Sequence, residues 1–325
     1  MSRALNGYDD VSAETRARVS AAARAAGYAP DPRARSLATG QAMAIGHIIP
    51  GVSRHEIVNP VFADFIAGAG ETYAAAGYEI VLSVMPEGQE EDGYRRLARS
   101  GRVDGLLLQA PRPADGRIGL LTGLGLPFVV HGRASEATGA YGWIDMDNRR
   151  AFARATGALI GLGHRRIALL NGPEGMDFAT RRAAGFAEAL AAAGLAAPPA
   201  HVRHEPMTEF YGYAAAREML EGPAPPTAIL TSALLIAMGV RRAVEERGLA
   251  LGRDVSVVTH DDALSYLPNG APDRPLFAAT RVPVREMGRQ AAAMLLDAIE
   301  APDAPPAHRL IEAEWVPGPS IGPPP

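Results

Sequence analysis

The sequence predicts an α/β protein with two doubly wound parallel-sheet lobes, preceded by a small all-α head. Three observations lead there. Short strands that are apolar throughout alternate with amphipathic helical stretches, the pattern of parallel sheets covered on both faces. Those strands outnumber what one typical sheet needs. The charge balance also changes near residue 40: residues 1–40 carry six Arg against four acids, a net of +2, so within a chain of net charge −4 the remainder carries −6. A small basic head on an acidic body suggests a head that meets a polyanion.

In the head, Ser12 is placed as an N-cap with Glu14 in the first turn. Val19, Ala22, Ala23 and Ala26 repeat at helical spacing, and Gly27 stands where the helix ends. Asp31-Pro32 opens a second helix that runs only as far as Leu37, too short to stand alone in water. From Met43 onward, apolar runs at 44–49, 78–84, 103–108, 127–131, 166–170, 227–231 and 255–259 predict strands. Helical patterns lie between them, at 60–76, 177–193 and 234–247, each followed by a glycine. The Pro/Gly-rich tail, 318–325, is expected to be disordered.

Composition removes several chemistries. With 325 residues, 47% of them hydrophobic, the chain can bury a core without staples. It has no cysteine, which excludes disulfides, thiol nucleophiles and cysteine-held metals. All 32 of its Lys+Arg residues are Arg, which excludes Schiff-base and P-loop lysines. No apolar stretch approaches the length of a membrane span, and the N-terminus has no signal-peptide core. A cytoplasmic protein is expected.

The motifs are sparse. Gly318-Pro319-Ser320-Ile321-Gly322 matches G-x-S-x-G, but the chain ends three residues later, so the nucleophile-elbow reading is rejected. His201, His204 and Glu205 resemble a metal pair, yet flanking prolines favour a solvated loop or short strand. Asp145-x-Asp147-Asn148 lacks the glycine and distal glutamate of a calcium loop, so Asp147 is read as the N-cap of the next helix or as facing a cleft. In His260-Asp261-Asp262, at a strand's carboxyl end, Asp261 is expected to touch a ligand and Asp262 to tie down the loop. No nucleophile–base constellation, metal site or cofactor motif emerges, so an enzyme is not expected.

Taken in order, the residues resemble the LacI/GalR family of bacterial transcriptional repressors across nearly the whole chain. In the head the likeness rests on Ser2-Arg3-Ala4-Leu5-Asn6-Gly7, Val11-Ser12-x-Glu14-Thr15-Arg16-x-Arg18-Val19, Gly27-Tyr28-x-Pro30 and Ala34-Arg35-Ser36-Leu37. In the body it rests on Ile45-Gly46, Asn59-Pro60-x-Phe62, Asp104-Gly105, Leu162-Gly163-His164-Arg165-Arg166-Ile167 and Arg182-x-x-Gly185-Phe186. Pro226-Thr227-Ala228, Asp254-Val255-Ser256-Val257-Val258 and Glu286-Met287-Gly288-Arg289 follow in family order.

The resemblance implies a division of labour. Residues 1–30 would be a partial helix-turn-helix, 31–42 a hinge helix and linker, and 43–325 a periplasmic-binding-protein-like effector and dimerisation body of type I. Its N-lobe would span about 43–148 and 280–307, its C-lobe about 149–279 and 308–325. Ser2, Arg3, Asn6, Tyr28, Arg35, Ser36 and Leu37 would meet operator DNA, with Leu37 wedged into the minor groove. Phe62, Asp147, Arg182 and Asp261 would bind a small, sugar-like effector between the lobes of a homodimer. The alternative is a sugar-binding protein without DNA-binding activity.

Two departures from the family accompany this. The front of the family's helix-turn-helix precedes Met1, which stands where the family usually has Val, so weak, sequence-independent DNA binding is expected of the chain as written. Ser232-Ala233 replaces the family's usual Asn-Asp, which removes one polar effector contact.

Overall fold

The computed structural model describes residues 11–26, 40–50, 59–86 and 88–325. In the head, helix α1 (Ala13–Ala25) starts as expected, with the Ser12 hydroxyl accepting from the Thr15 amide at 3.3 Å. The short helix opened by Asp31-Pro32 and the DNA-contact candidates Ser2, Arg3, Asn6, Tyr28, Arg35, Ser36 and Leu37 lie outside the described residues.

The body alternates strand and helix. The first lobe contains β1 (Ala44–Pro50), α2 (Pro60–Ala75), β2 (Glu79–Met85), α3 (Glu90–Arg99), β3 (Gly105–Gln109), α4 (Gly116–Leu124), β4 (Phe128–His131) and β5 (Gly142–Met146). The second contains α5 (Asn148–Gly161), β6 (Ile167–Asn171), α6 (Asp177–Ala192), β7 (Val202–His204), α7 (Glu209–Glu221), β8 (Ala228–Thr231), α8 (Leu234–Glu246) and β9 (Ser256–Asp261). A small hairpin, β10 (Gly270–Ala271) and β11 (Arg274–Pro275), leads to β12 (Ala278–Arg281). The chain then returns to the first lobe through α9 (Val284–Glu300) and β13 (His308–Ile311), and ends in the second with β14 (Glu314–Val316).

Among the described residues the strands form two six-stranded sheets, ordered β13-β5-β4-β3-β1-β2 and β14-β12-β9-β8-β6-β7. Every neighbouring pair is parallel except β12 and β14. Central strands are apolar because both faces are covered: β6 and β8 are buried at every residue.

The lobe boundaries differ from expectation in two places. His308–Ile311 was assigned to the C-lobe, but it pairs in parallel with β5 in the N-lobe sheet, and the crossing back comes only before β14. Thr280 and Arg281, placed in the N-lobe, pair with β9 in the C-lobe sheet.

The tail is also corrected. Ser320 is buried, with its hydroxyl donating to Val257 O (2.6 Å) and accepting from Ala278 N (2.9 Å). Val257 N in turn donates to Ser320 O at 2.8 Å. The glycines let the tail lie flat on the lobe, since a Cβ at Gly318 or Gly322 would meet backbone at 2.4 or 2.1 Å. The serine of the G-x-S-x-G match is thus a fastener.

Candidate functional site

The carboxyl ends of both sheets face each other across a cleft, the usual ligand position in doubly wound folds. The chain crosses between lobes three times beside it: at the β5–α5 junction, between β12 and α9, and between β13 and β14. Two non-glycine residues with positive φ, Ala110 (46°) and Ala263 (51°), stand just past β3 and β9, where the backbone turns sharply at this edge.

Arg182 is the centre of the site. Helix α6 presents it in the C-lobe, only 6% exposed. Its Nε donates to Asn148 Oδ1 and its Nη1 to the Ser232 carbonyl, both at 2.7 Å. The guanidinium carbon lies 5.0 Å from the Phe152 ring centroid and 4.9 Å from that of Phe178, so apolar rings remove water from the cation. Burial lowers the Arg182 pKa to about 10, opposed by the charges of Asp262 and Asp145, and the group stays cationic at neutral pH.

A chain of hydrogen bonds extends from Arg182 both ways. Asn148 donates to Asp145 Oδ1 at 3.1 Å, and Asp145 Oδ2 accepts from Arg133 Nε of the N-lobe at 2.9 Å. Burial raises the Asp145 pKa, with Arg133 opposing. On the other side, the Ser232 hydroxyl donates to Asn171 Oδ1 at 2.6 Å, and Asn171 donates to Ala179 O at 2.8 Å. Ser232, read as a missing ligand contact, therefore fixes Arg182 from its backbone and Asn171 from its side chain.

Asp261 and Asp262 each have partners within the protein. The buried Asp261 accepts from Ala263 N at 2.8 Å, which supports that residue's left-handed conformation, and lies 3.8 Å from Arg281. Burial raises its pKa, and the Ala263 amide opposes the shift. Asp262 lies 3.3 Å from His260, and its charge acts on Arg182 and His131. Burial would raise the Asp262 pKa, but His260, Arg182 and His131 together hold it below the usual carboxylate range. Asp262 thus acts on the buried arginine through its charge and is tied to His260, and Asp261 supports the turn of the loop.

The N-lobe contributes rings. Phe62 is half-buried near the start of α2, whose first turn is fixed by Asn59 accepting from Val61 N. His131, at the end of β4, stacks on Phe65 with centroids 4.2 Å apart. Burial drives its pKa to about 4, with Asp262 opposing, so it is a neutral imidazole at physiological pH. Asp147 caps α5 by accepting from Arg150 N at 3.1 Å. Sequence reasoning missed His131, Asp145, Asn148 and Phe178; their shared signal is position, at a strand's carboxyl end or in the first turn of the helix that follows.

Residues 156–321 match the family of periplasmic binding protein-like domains. The HTH-type transcriptional regulator AglR of Rhizobium meliloti (strain 1021) is 42% identical over all 325 residues, which cover 91% of that protein. The chain is a LacI/GalR-type transcriptional regulator. A solved complex of the transcriptional regulator CelR with cellobiose has a TM-score of 0.75 at 28% identity, covering 98% of this regulator and 94% of that chain. The lac repressor dimer bound to operator and the anti-inducer ONPF has a TM-score of 0.83 at 24% identity, covering 99% and 94%, which speaks for the fold. Relatives aligned along the whole chain are regulators rather than enzymes, so a free-standing sugar-binding protein is not favoured. Among the described residues, no helix of the regulator is long and apolar enough to cross a membrane, and no group of three or more His, Asp or Glu could hold a metal ion.

Proposed function

We propose that this regulator is a repressor whose affinity for operator DNA is set by a sugar in the cleft, working as a homodimer beside its DNA in the cytoplasm. The observation that carries the reading is Arg182, a buried cation locked by Asn148 and Ser232 and set against Asp262. A rigid fork of donors opposite a carboxylate acceptor suits vicinal hydroxyls, which donate to one and accept from the other. Phe62 supplies an apolar face for a sugar ring. The CelR–cellobiose complex, alike over nearly the whole chain, supports a saccharide. Operator contacts fall to Ser2, Arg3, Asn6, Tyr28, Arg35, Ser36 and Leu37, and no turnover is expected.

Titration calorimetry with mono- and disaccharides, cellobiose among them, tests this. Arg182→Ala and Asp262→Asn should each weaken binding about tenfold or more, because each leaves a buried partner unmatched. Asp261→Asn keeps an acceptor for Ala263 N and should bind nearly as wild type does. Heat from none of the saccharides, or equal losses in the two Asn variants, would overturn the assignment. A gel shift with and without the tightest-binding sugar then reads the effect on operator affinity.

A further inference from the structure

Two carboxylates grip serines across the cleft with the same chemistry and in opposite directions. Asp64, buried on α2 of the N-lobe, accepts from Ser265 N (2.6 Å) and Ser265 Oγ (2.7 Å) on the loop after β9 of the C-lobe. Asp177, buried at the start of α6 in the C-lobe, accepts from Ser135 N (2.9 Å) and from the Ser135 hydroxyl, on the loop after β4 of the N-lobe. The Asp177 amide adds a further bond, donating to Pro111 O of the N-lobe at 3.0 Å. Arg285 stands 3.6 Å behind Asp64, and Arg181 pairs with Asp177. Each carboxylate is thus ion-paired as well as hydrogen-bonded, and charge-assisted hydrogen bonds are the stronger kind.

The placement of these pairs is what gives them a role. Each of the four segments also carries a cleft side chain: Phe62 precedes Asp64 by two residues, and Asp262 precedes Ser265 by three. Arg182 follows Asp177 by five, and His131 precedes Ser135 by four. Separating the lobes would break both pairs and draw His131 of the N-lobe away from Asp262 of the C-lobe in one motion.

We infer that Asp64–Ser265 and Asp177–Ser135 are paired latches that hold the cleft closed and position its binding side chains, so that breaking one loosens the other. This rests on the cleft being the effector site. A ligand that binds the closed form has its apparent affinity scaled by the closed fraction, so the latches set sensitivity to effector without touching it.

Hydrogen exchange of the full chain tests the coupling, because the Ser135 and Ser265 amides are themselves latch donors. Ser265→Ala should speed exchange in the segment around Ser135, across the cleft, by about tenfold, the effect of losing one hydrogen bond to a charged acceptor. Ser135→Ala should do the same to the segment around Ser265, and Ser265→Thr, which keeps a hydroxyl, should restore the wild-type rate. Exchange that changes only beside the substituted residue would overturn the inference, since a purely local role predicts that result. Cellobiose as a probe separates the two claims. If it slows exchange at both segments of the wild type, the latches act on effector binding. If cross-cleft coupling is present and no saccharide of the calorimetry panel changes it, the latches stand and the sugar reading falls.

Discussion

Each lobe buries a histidine to the same extent, 1% exposed, and the two are treated in opposite ways. His164 of the C-lobe places Nδ1 2.8 Å from Thr227 Oγ1, and Nε2 3.0 Å from Ser256 Oγ and 2.9 Å from Gly322 O. It ties the turn before β6 to β8, to β9 and to the tail. His47 of the N-lobe lies on β1, edge-on to Tyr73 at 6.2 Å, and among the described residues neither of its ring nitrogens nor the Tyr73 hydroxyl has a hydrogen-bond partner. Burial lowers both pKa values, but the Gly322 carbonyl opposes the shift at His164, whereas at His47 burial acts alone and takes the value to about 3. The same residue type is thus a fastener in one lobe and an acid-sensitive weak point in the other.

The largest effect that would break this comparison is acid unfolding. In the folded protein His47 stays neutral down to about pH 3, whereas in the unfolded chain it takes a proton near 6.5. Between those values the unfolded state binds more protons, so stability is fully present above about 6.5 and falls as pH falls toward 3. At about 1.4 kcal/mol per pH unit, this amounts to about 5 kcal/mol across the window. Urea unfolding of wild type and His47→Leu at a series of pH values should show the variant's stability falling less steeply. Parallel profiles would mean that His47 acquires its proton inside the fold.

The next effect concerns what the lobes share. In each, two helices cross through reciprocal glycines. In the N-lobe, a Cβ on Gly68 of α2 would stand 1.9 Å from Arg285 O, and one on Gly288 of α9 would stand 2.1 Å from Phe65 O. In the C-lobe, the corresponding distances are 2.1 Å from Gly212 of α7 to Ile236 O and 1.9 Å from Gly239 of α8 to Glu209 O. Backbone cannot yield as a side-chain tip can, so Gly68→Ala and Gly239→Ala should each cost about 3 kcal/mol, the upper range for overpacking. Thermal unfolding should show similar losses for both. A cost in one lobe alone would show that the two crossings are not mechanically equivalent.

What was legible in the sequence divides along the line between periodicity and loop geometry. The continuous apolar runs that became β3, β6 and β8 identified the sheets, because central parallel strands leave no polar face to confuse the pattern. Ser12 and Asp147 announced helix starts by capping chemistry, and both serve as caps. Arg182 was legible by motif and is buried at the cleft. The partners that Asp261 and Asp262 take up were not, because the path after a strand's end depends on the turn that follows, and that turn hinges on the positive φ of Ala263. The tail misled because composition reports what a segment cannot pack for itself. Pro and Gly are here the residues that let a chain lie flat against another element.

The smallest effect sharpens the comparison by making the C-lobe more like the N-lobe. Ser320 satisfies Val257 O and Ala278 N on β9 and β12, and the next turn of the tail brings Gly322 O to His164. Ser320→Ala removes the hydroxyl without changing the backbone, leaving an amide and a carbonyl in a dry place without that partner, at a cost of about 1–2 kcal/mol. The loss should spread along the tail to the Gly322 contact, leaving His164 closer to the unpartnered condition of His47. Carbon-detected magnetic resonance of the His164 ring across a pH series reads this directly. Its pKa should fall in the variant, because the carbonyl that opposes burial is held less firmly. An unchanged His164 titration alongside a measurable loss of stability would show that the tail's two anchors act independently.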